Sequence, residues 1–225
     1  MASPSKIPKK PTAVEFLKFI SGARVDIYVG KNKKHDSVPK DLFCYYSTYF
    51  ERCFNGDFKE AKQGKLELLG DDVEDFEILL QYILHGNIPL EDIQARFEGA
   101  NDPDLVRRYM SILEYADKYN MQHCIGEILY LPIKTGLTVL ACGDRTSPED
   151  VEMVFRVFEK GHKLRKLVTQ AALSRQGPYG KVFQKQEKHI PEFAYQMLKE
   201  IRKASKLYPS ESKWIDPITG TARLF

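Results

Sequence analysis

The sequence is short of several things, and each shortage removes a class of function. It has four cysteines and one tryptophan in 225 residues, and no C-x-x-C pair. Its first ten residues, Met1 to Lys10, are polar and basic, with two prolines and none of the apolar core of about 7 to 15 residues that a secretory leader carries. A disulfide framework is therefore not expected. Cys44, Cys53 and Cys124 fall inside apolar helical patterns, where a thiol acts as a small hydrophobe; Cys142 lies in a stretch without a clear period. The five histidines are scattered, and the adjacent His123 and Cys124 point in different directions on a helix, so no metal site is expected. Nowhere do about 18 apolar residues run together, which leaves no membrane-crossing helix. The expectation is an intracellular protein, cytoplasmic or nuclear.

Charge of one sign is also missing. Thirty-four basic and 31 acidic residues leave +3, far from the asymmetry of a dedicated nucleic-acid binder, so no nucleic-acid partner is expected. There is no phosphate loop, no H-E-x-x-H helix and no G-x-S-x-G elbow, and no repeat of fixed period. Carboxylates are dense at Asp71, Asp72, Glu74 and Asp75, but acid–base work needs two in contrasting environments facing a cleft; they are read as a helix start with a solvated face. Neither an enzyme nor a cofactor is expected.

What is present is strand and helix interleaved. Val25, Ile27 and Val29 alternate with Asp26 and Tyr28, and Leu66 and Leu68 with Lys65 and Glu67, the period of half-buried strands. Between them Leu42, Tyr45, Tyr46, Tyr49, Phe50 and Cys53 step by three and four, with Ser47 placed to cap the second of two short helices. The cluster from Lys31 to His35 follows the first strand as a charged hairpin tip. A helix through Phe76, Leu79, Leu80, Ile83 and Leu84 is bounded by Asp71-Asp72 and by Gly86. Residues 89 to 101 lack a period and are read as loop. Two more helices follow: one capped by Asp102 and opening at Pro103, with Leu105, Tyr109, Ile112, Leu113 and Ala116 on one face, and one through Met121, Cys124, Ile125, Ile128 and Leu129 that Pro132 should stop.

The block Lys40-Asp41-Leu42-Phe43-Cys44-Tyr45-Tyr46-Ser47-Thr48-Tyr49-Phe50, the strand ending in Val29-Gly30 and the block Phe58-Lys59-Glu60-Ala61 together resemble the BTB/POZ domain. Their wording is most similar to the BTB domains of filamentous fungi. The resemblance implies an α+β fold, a small mixed β-sheet flanked by a cluster of α-helices, and a function in binding other proteins. It divides the chain into a flexible N-terminal segment and short helix at 1–19, a BTB/POZ domain at 20–130, a mainly helical C-terminal region at 131–207 and an irregular tail at 208–225.

After residue 130 a loop with one candidate strand, Leu137 to Ala141, precedes Ser147-Pro148-Glu149-Asp150, a capped helix start with Val151, Val154, Phe155 and Phe158 on one face. Leu164, Leu167, Val168 and Ala171 give another helix, the turn at Gln176 to Gly180 interrupts it, and Ala194, Met197, Leu198 and Ile201 give a last one. The sequence Trp214-Ile215-Asp216-Pro217-Ile218-Thr219-Gly220 resembles the W-x-D-P-x-T-G that ends helical extensions of fungal BTB proteins.

Four residues carry the functional expectation. The resemblance places Asp26 and Lys40 where family dimers hold a charged pair near the subunit interface, although Asp36 and Pro39 stand in place of the aromatic and the histidine of F-x-x-H-K. A helix before the first strand, with Ala13, Phe16, Leu17 and Ile20, is the family's dimer element and here gives a short stripe. Phe58 and Glu60 match the hydrophobic-x-acidic motif by which BTB adaptors engage a cullin scaffold; the bland alternative tucks Phe58 against Phe54 and the helix through Leu79. Three readings stay open: a homo- or hetero-oligomerising scaffold, a substrate adaptor of a cullin-RING ubiquitin ligase, and a transcription regulator without its own DNA-binding domain.

Overall fold

The computed structural model describes residues 8–97, 103–139, 146–205 and 213–224. The chain divides into two compact units, Met1–Leu90 with Tyr115–Ile128, and Glu91–Glu114 with Leu129–Phe225.

The first unit begins with α1 (Ala13–Ile20), β1 (Arg24–Val29), β2 (Lys34–Pro39), α2 (Lys40–Tyr46), α3 (Thr48–Asn55), α4 (Lys59–Gln63), β3 (Lys65–Leu68) and α5 (Val73–His85). β1 is the middle strand, antiparallel to β2 and parallel to β3. Val25, Ile27 and Val29 are buried with Leu66 and Leu68 of β3, so one face of the sheet belongs to the core and the intervening side chains are left partly in water. β2 was not visible in the sequence. It is an edge strand, Lys-His-Asp-Ser-Val-Pro, whose only buried positions are Val38 and Pro39, and a strand exposed along most of its length needs no apolar alternation. The turn between β1 and β2 is the expected charged tip, closed by a hydrogen bond from the Lys33 N–H to the Gly30 carbonyl at 3.0 Å.

Ser47 divides α2 from α3 as expected, its hydroxyl oxygen accepting from the Phe50 N–H at 3.2 Å. α5 is capped by Asp72, which accepts from the N–H groups of Glu74 and Asp75, and ends at Gly86, whose φ of 71° a side chain would strain. Phe76, Ile78, Leu79, Tyr82 and Ile83 are buried, each worth about 1.5–3 kcal/mol of transfer from water. Leu80 and Leu84, also expected in the core, are only half-buried.

The remaining elements are α6 (Leu90–Gln94), α7 (Pro103–Lys118), α8 (Gln122–Val139), α9 (Pro148–Val157), α10 (Lys163–Gln176), α11 (Gln184–His189), α12 (Pro191–Ser205), β4 (Lys213–Ile215) and β5 (Ala222–Leu224). α6 replaces part of the loop expected at 89–101; the Asp102 cap lies outside the described residues, as does Cys142. α8 does not stop at Pro132 but continues to Val139, so the strand expected from Leu137 starts as helix and its end is undescribed. Proline removes one backbone donor from a helix. Here Leu129, Ile133 and Leu137, all fully buried, continue one apolar stripe across it and offset that loss. Gly136 lets α8 approach α7 closely, since a Cβ there would stand 2.4 Å from Val106 Cγ2.

Ser147 caps α9 through a capping box with Asp150, and Val151, Val154, Phe155 and Phe158 are buried as the sequence predicts. α10 packs against α9 and α12. The described part of the tail is a hairpin of β4 and β5 rather than an irregular coil. Its hub is Asp216, fully buried, whose carboxylate accepts from the Ser174 hydroxyl at 2.6 Å, from the Ile218 and Thr219 N–H groups at 2.9 and 3.3 Å, and from the Arg223 guanidinium at 2.6 Å. Burial pushes its pKa up, and these donors together outweigh it and hold the carboxyl below its ordinary range. Trp214 is buried beside it, with the Arg223 guanidinium 5.9 Å from the centre of its ring.

Candidate functional site

α1 is short, and its start is well specified: the Thr12 hydroxyl accepts from the Glu15 N–H while the Glu15 carboxylate accepts from the Thr12 N–H at 2.8 Å, a capping box. Donation from the Thr12 N–H, and then from the Thr12 hydroxyl at 2.8 Å, holds the Glu15 carboxyl below its ordinary pKa. The helix reads AVEFLKFI and buries none of its residues; Val14 is 78% exposed and Leu17 61%. A helix that carries five large or branched apolar groups and buries none of them has an unpartnered face.

Beside α1 is a groove of about 540 Å³, lined by Phe16 and Ile20, by Arg24 and Asp36 of the hairpin, and by the half-buried Leu80 and Leu84 of α5. Asp36 and Pro39, the two residues that stand in place of the aromatic and the histidine of F-x-x-H-K, both line it. Among the described residues the Asp36 Oδ2 is buried with no hydrogen-bond partner, which costs about 1–3 kcal/mol or more unless a donor arrives.

Asp26, expected to pair with Lys40, instead meets His35, with Oδ1 2.9 Å from Nε2. The register explains this: Asp26 faces Ser37 and Tyr28 faces His35, so Asp26 and His35 are diagonal neighbours on one face of the sheet, while Lys40 lies past the strand end in the first turn of α2. The hydrogen bond from His35 is the main reason the Asp26 carboxyl is held below its ordinary pKa. The His35 ring also stacks on Tyr28, centroids 4.8 Å apart.

Phe58 stands at the N-cap position of α4, without a side-chain capping bond, and is 61% exposed, with Glu60 in the first turn of that helix. The ring does not tuck against Phe54, which is itself buried in the core. It lies over Gly56, where an added Cβ would come within 3.2 Å of it, and its outer face is open.

The sequence predicts Asp71 as part of a solvated helix start, and the structure corrects this. Its side chain is only 3% exposed. It accepts from the hydroxyls of Tyr115, at 2.9 Å, and Tyr119, and pairs with Lys118. Burial first, and then this carboxylate, drive the Tyr119 phenol far above its ordinary pKa. The arrangement ties α7 to the β3–α5 turn and is structural; each phenol remains a donor. Sequence reasoning missed it because the two tyrosines lie more than 40 positions away.

Among the described residues no group of three metal-ligating side chains occurs, and no helix is long and apolar enough to cross a membrane. A comparison with curated proteins found no match. The BTB/POZ domain family matches residues 19–130, the span that holds the mixed sheet, the helices packed on it and the exposed Phe58; Val14 and Leu17 of α1 lie before it. On that match and this architecture, residues 19–130 of the chain are a BTB/POZ domain.

Proposed function

We propose that this BTB/POZ protein acts as a scaffold that associates with a second copy of itself through the open face of α1 and the groove beside it. The BTB/POZ domain is a protein–protein interaction module, and the observation that carries the finer reading is α1, a capped helix whose apolar side chains are all left at least partly in water. The stranded Asp36 oxygen adds to it, because an incoming donor would satisfy it. The wording of Lys40 to Phe50 supports a place among the BTB proteins of filamentous fungi. Light scattering on the full chain tests the reading. Wild type should have twice the 25.9 kDa chain mass, and Val14→Glu with Leu17→Glu should return it to one. A wild-type monomer at every concentration measured would overturn it.

A second reading, substrate adaptor of a cullin-RING ubiquitin ligase, is favoured by the exposed Phe58 followed by Glu60. The C-terminal unit would then hold the substrate. Binding of the chain to purified cullin should weaken by about 2 kcal/mol, near thirtyfold, in Phe58→Ala if the ring is an anchor. An equal affinity for both forms would remove this reading.

A further inference from the structure

Charge is not spread evenly along the chain. Residues 1–128 carry 17 basic and 21 acidic side chains, and residues 129–225 carry 17 basic and 10 acidic. The near-neutral total therefore hides a basic C-terminal region.

Part of that charge is gathered in a groove of about 470 Å³ within the second unit. One wall is α12, which presents Glu192, Tyr195, Gln196, Lys199 and Lys203 along one side; these positions extend over about 16 Å of helix. The other wall is the end of α9, the loop at Lys160 and the first turn of α10, with Arg165 and Lys166. The one carboxylate in the lining, Glu192, is paired with Arg165, which also donates to the Phe155 carbonyl at 2.7 Å. Among the described residues no carboxylate pairs with Lys160, Lys166 or Lys199; Lys203 shares Glu200 at 2.8 Å. The Lys199 ammonium lies over the Tyr195 ring, 5.2 Å from its centre, and that ring is 59% exposed.

We propose that this groove binds an extended acidic segment of a partner protein. Charge complementarity fixes the sign of the occupant, since the cations unmatched in the groove outnumber its carboxylates. Length fixes its form: about 16 Å suits roughly five residues of extended chain at about 3.3 Å each and far exceeds a single phosphate. The polar atoms choose peptide over nucleic acid. Glu192 bonds Arg165 through one oxygen and keeps the other as an acceptor, and Gln196, donating its amide to Glu200 at 3.1 Å, keeps its carbonyl oxygen. A peptide backbone brings N–H donors to such acceptors, whereas a phosphodiester backbone brings none. The exposed Tyr195 ring gives an apolar or aromatic residue of the segment a place to lie.

The site is separate from the α1 face, so its test does not depend on self-association. A fluorescein-labelled octapeptide of glutamate and aspartate with one central phenylalanine is titrated against the full chain at low salt and followed by anisotropy. A single-stranded oligonucleotide of equal charge runs in parallel. The peptide should bind more tightly than the oligonucleotide, and Lys166→Glu with Lys199→Glu should weaken it by about tenfold or more. Lys181→Glu with Lys188→Glu makes the same charge change on exposed residues outside the groove and should change binding by less than about twofold. All three proteins should melt together, because every substituted lysine is exposed. Absence of peptide binding, an equal loss in both double variants, or tighter binding of the oligonucleotide would each overturn the proposal.

Discussion

The hydroxyl of Ser47 donates to the carbonyl oxygen of Tyr119 at 2.7 Å while its oxygen accepts from the N–H of Phe50. One buried side chain thereby caps α3 and satisfies the backbone where α7 has just ended, 72 positions away. Phe50 and Tyr119 also stack with their rings 9° from parallel, so the polar and aromatic contacts hold the same two segments together.

Ser47→Ala removes the cap and leaves the Tyr119 carbonyl without its partner. A cap is worth about 0.5–2 kcal/mol and a stranded buried acceptor about 1–3 kcal/mol. Urea unfolding of the first unit should therefore show a loss of about 2–4 kcal/mol with an unchanged slope. A loss under about 0.5 kcal/mol would mean that water replaces the hydroxyl.

Asp71→Ala leaves two buried phenols without an acceptor and Lys118 without a counter-charge. Removing one member of a buried charged network costs about 3–5 kcal/mol. Lys118→Met should cost about 1 kcal/mol or less, because its side chain is half-exposed. Denaturation of the two variants side by side separates the contributions; equal losses would place the carboxylate in an effectively wet site.

Asp216 gives a pH dependence of known sign. Its folded carboxyl titrates below the ordinary value of about 3.9, so its contribution is fully present above that ordinary value and disappears as pH falls through the lowered folded one. Asp216→Asn should destabilise the C-terminal unit at neutral pH and flatten the steep acid side of its stability curve. Thermal melts from neutral pH down to about pH 2 check both effects, and an acid limb as steep as that of wild type would show that other carboxylates dominate.

Cys44 should be a slow thiol. Burial is the main cause that pushes its pKa up to about 11, so near pH 8 only about one molecule in a thousand carries the thiolate. Iodoacetamide should label Cys44 far more slowly in the folded chain than after unfolding, as peptide mass spectrometry can follow. Comparable rates in the two states would require Cys44 to be more open than the fold has it.

Much of this architecture can be read from the sequence because local rules and burial agree. Ser47, Asp72 and Gly86 sit at helix ends where capping chemistry alone assigns them, and Val25, Ile27 and Val29 alternate because one face of the sheet is core. The misses have physical causes. β2 is an edge strand with little burial and so lacks an alternating signature. Pro132 signals a stop that the buried stripe on either side of it overrides. Asp71 looks like any helix-start carboxylate until Tyr115 and Tyr119 arrive from afar. Two readings of Phe58 stay open in the sequence, a partner contact and a place against Phe54, because spacing does not reveal exposure; in the fold Phe54 is buried and Phe58 is 61% exposed. The pairing expected between Asp26 and Lys40 failed because strand register, which sequence spacing does not reveal, put His35 closer.

The lone indole sits in the terminal hairpin, wedged beside the Asp216 carboxylate and the Arg223 guanidinium. Selective excitation of tryptophan emission therefore reads out the seating of that hairpin, while the first unit, rich in tyrosine, stays silent in the same channel. The chain carries its own optical label for one end, and stopped-flow fluorescence can time when that end locks into place without adding a dye.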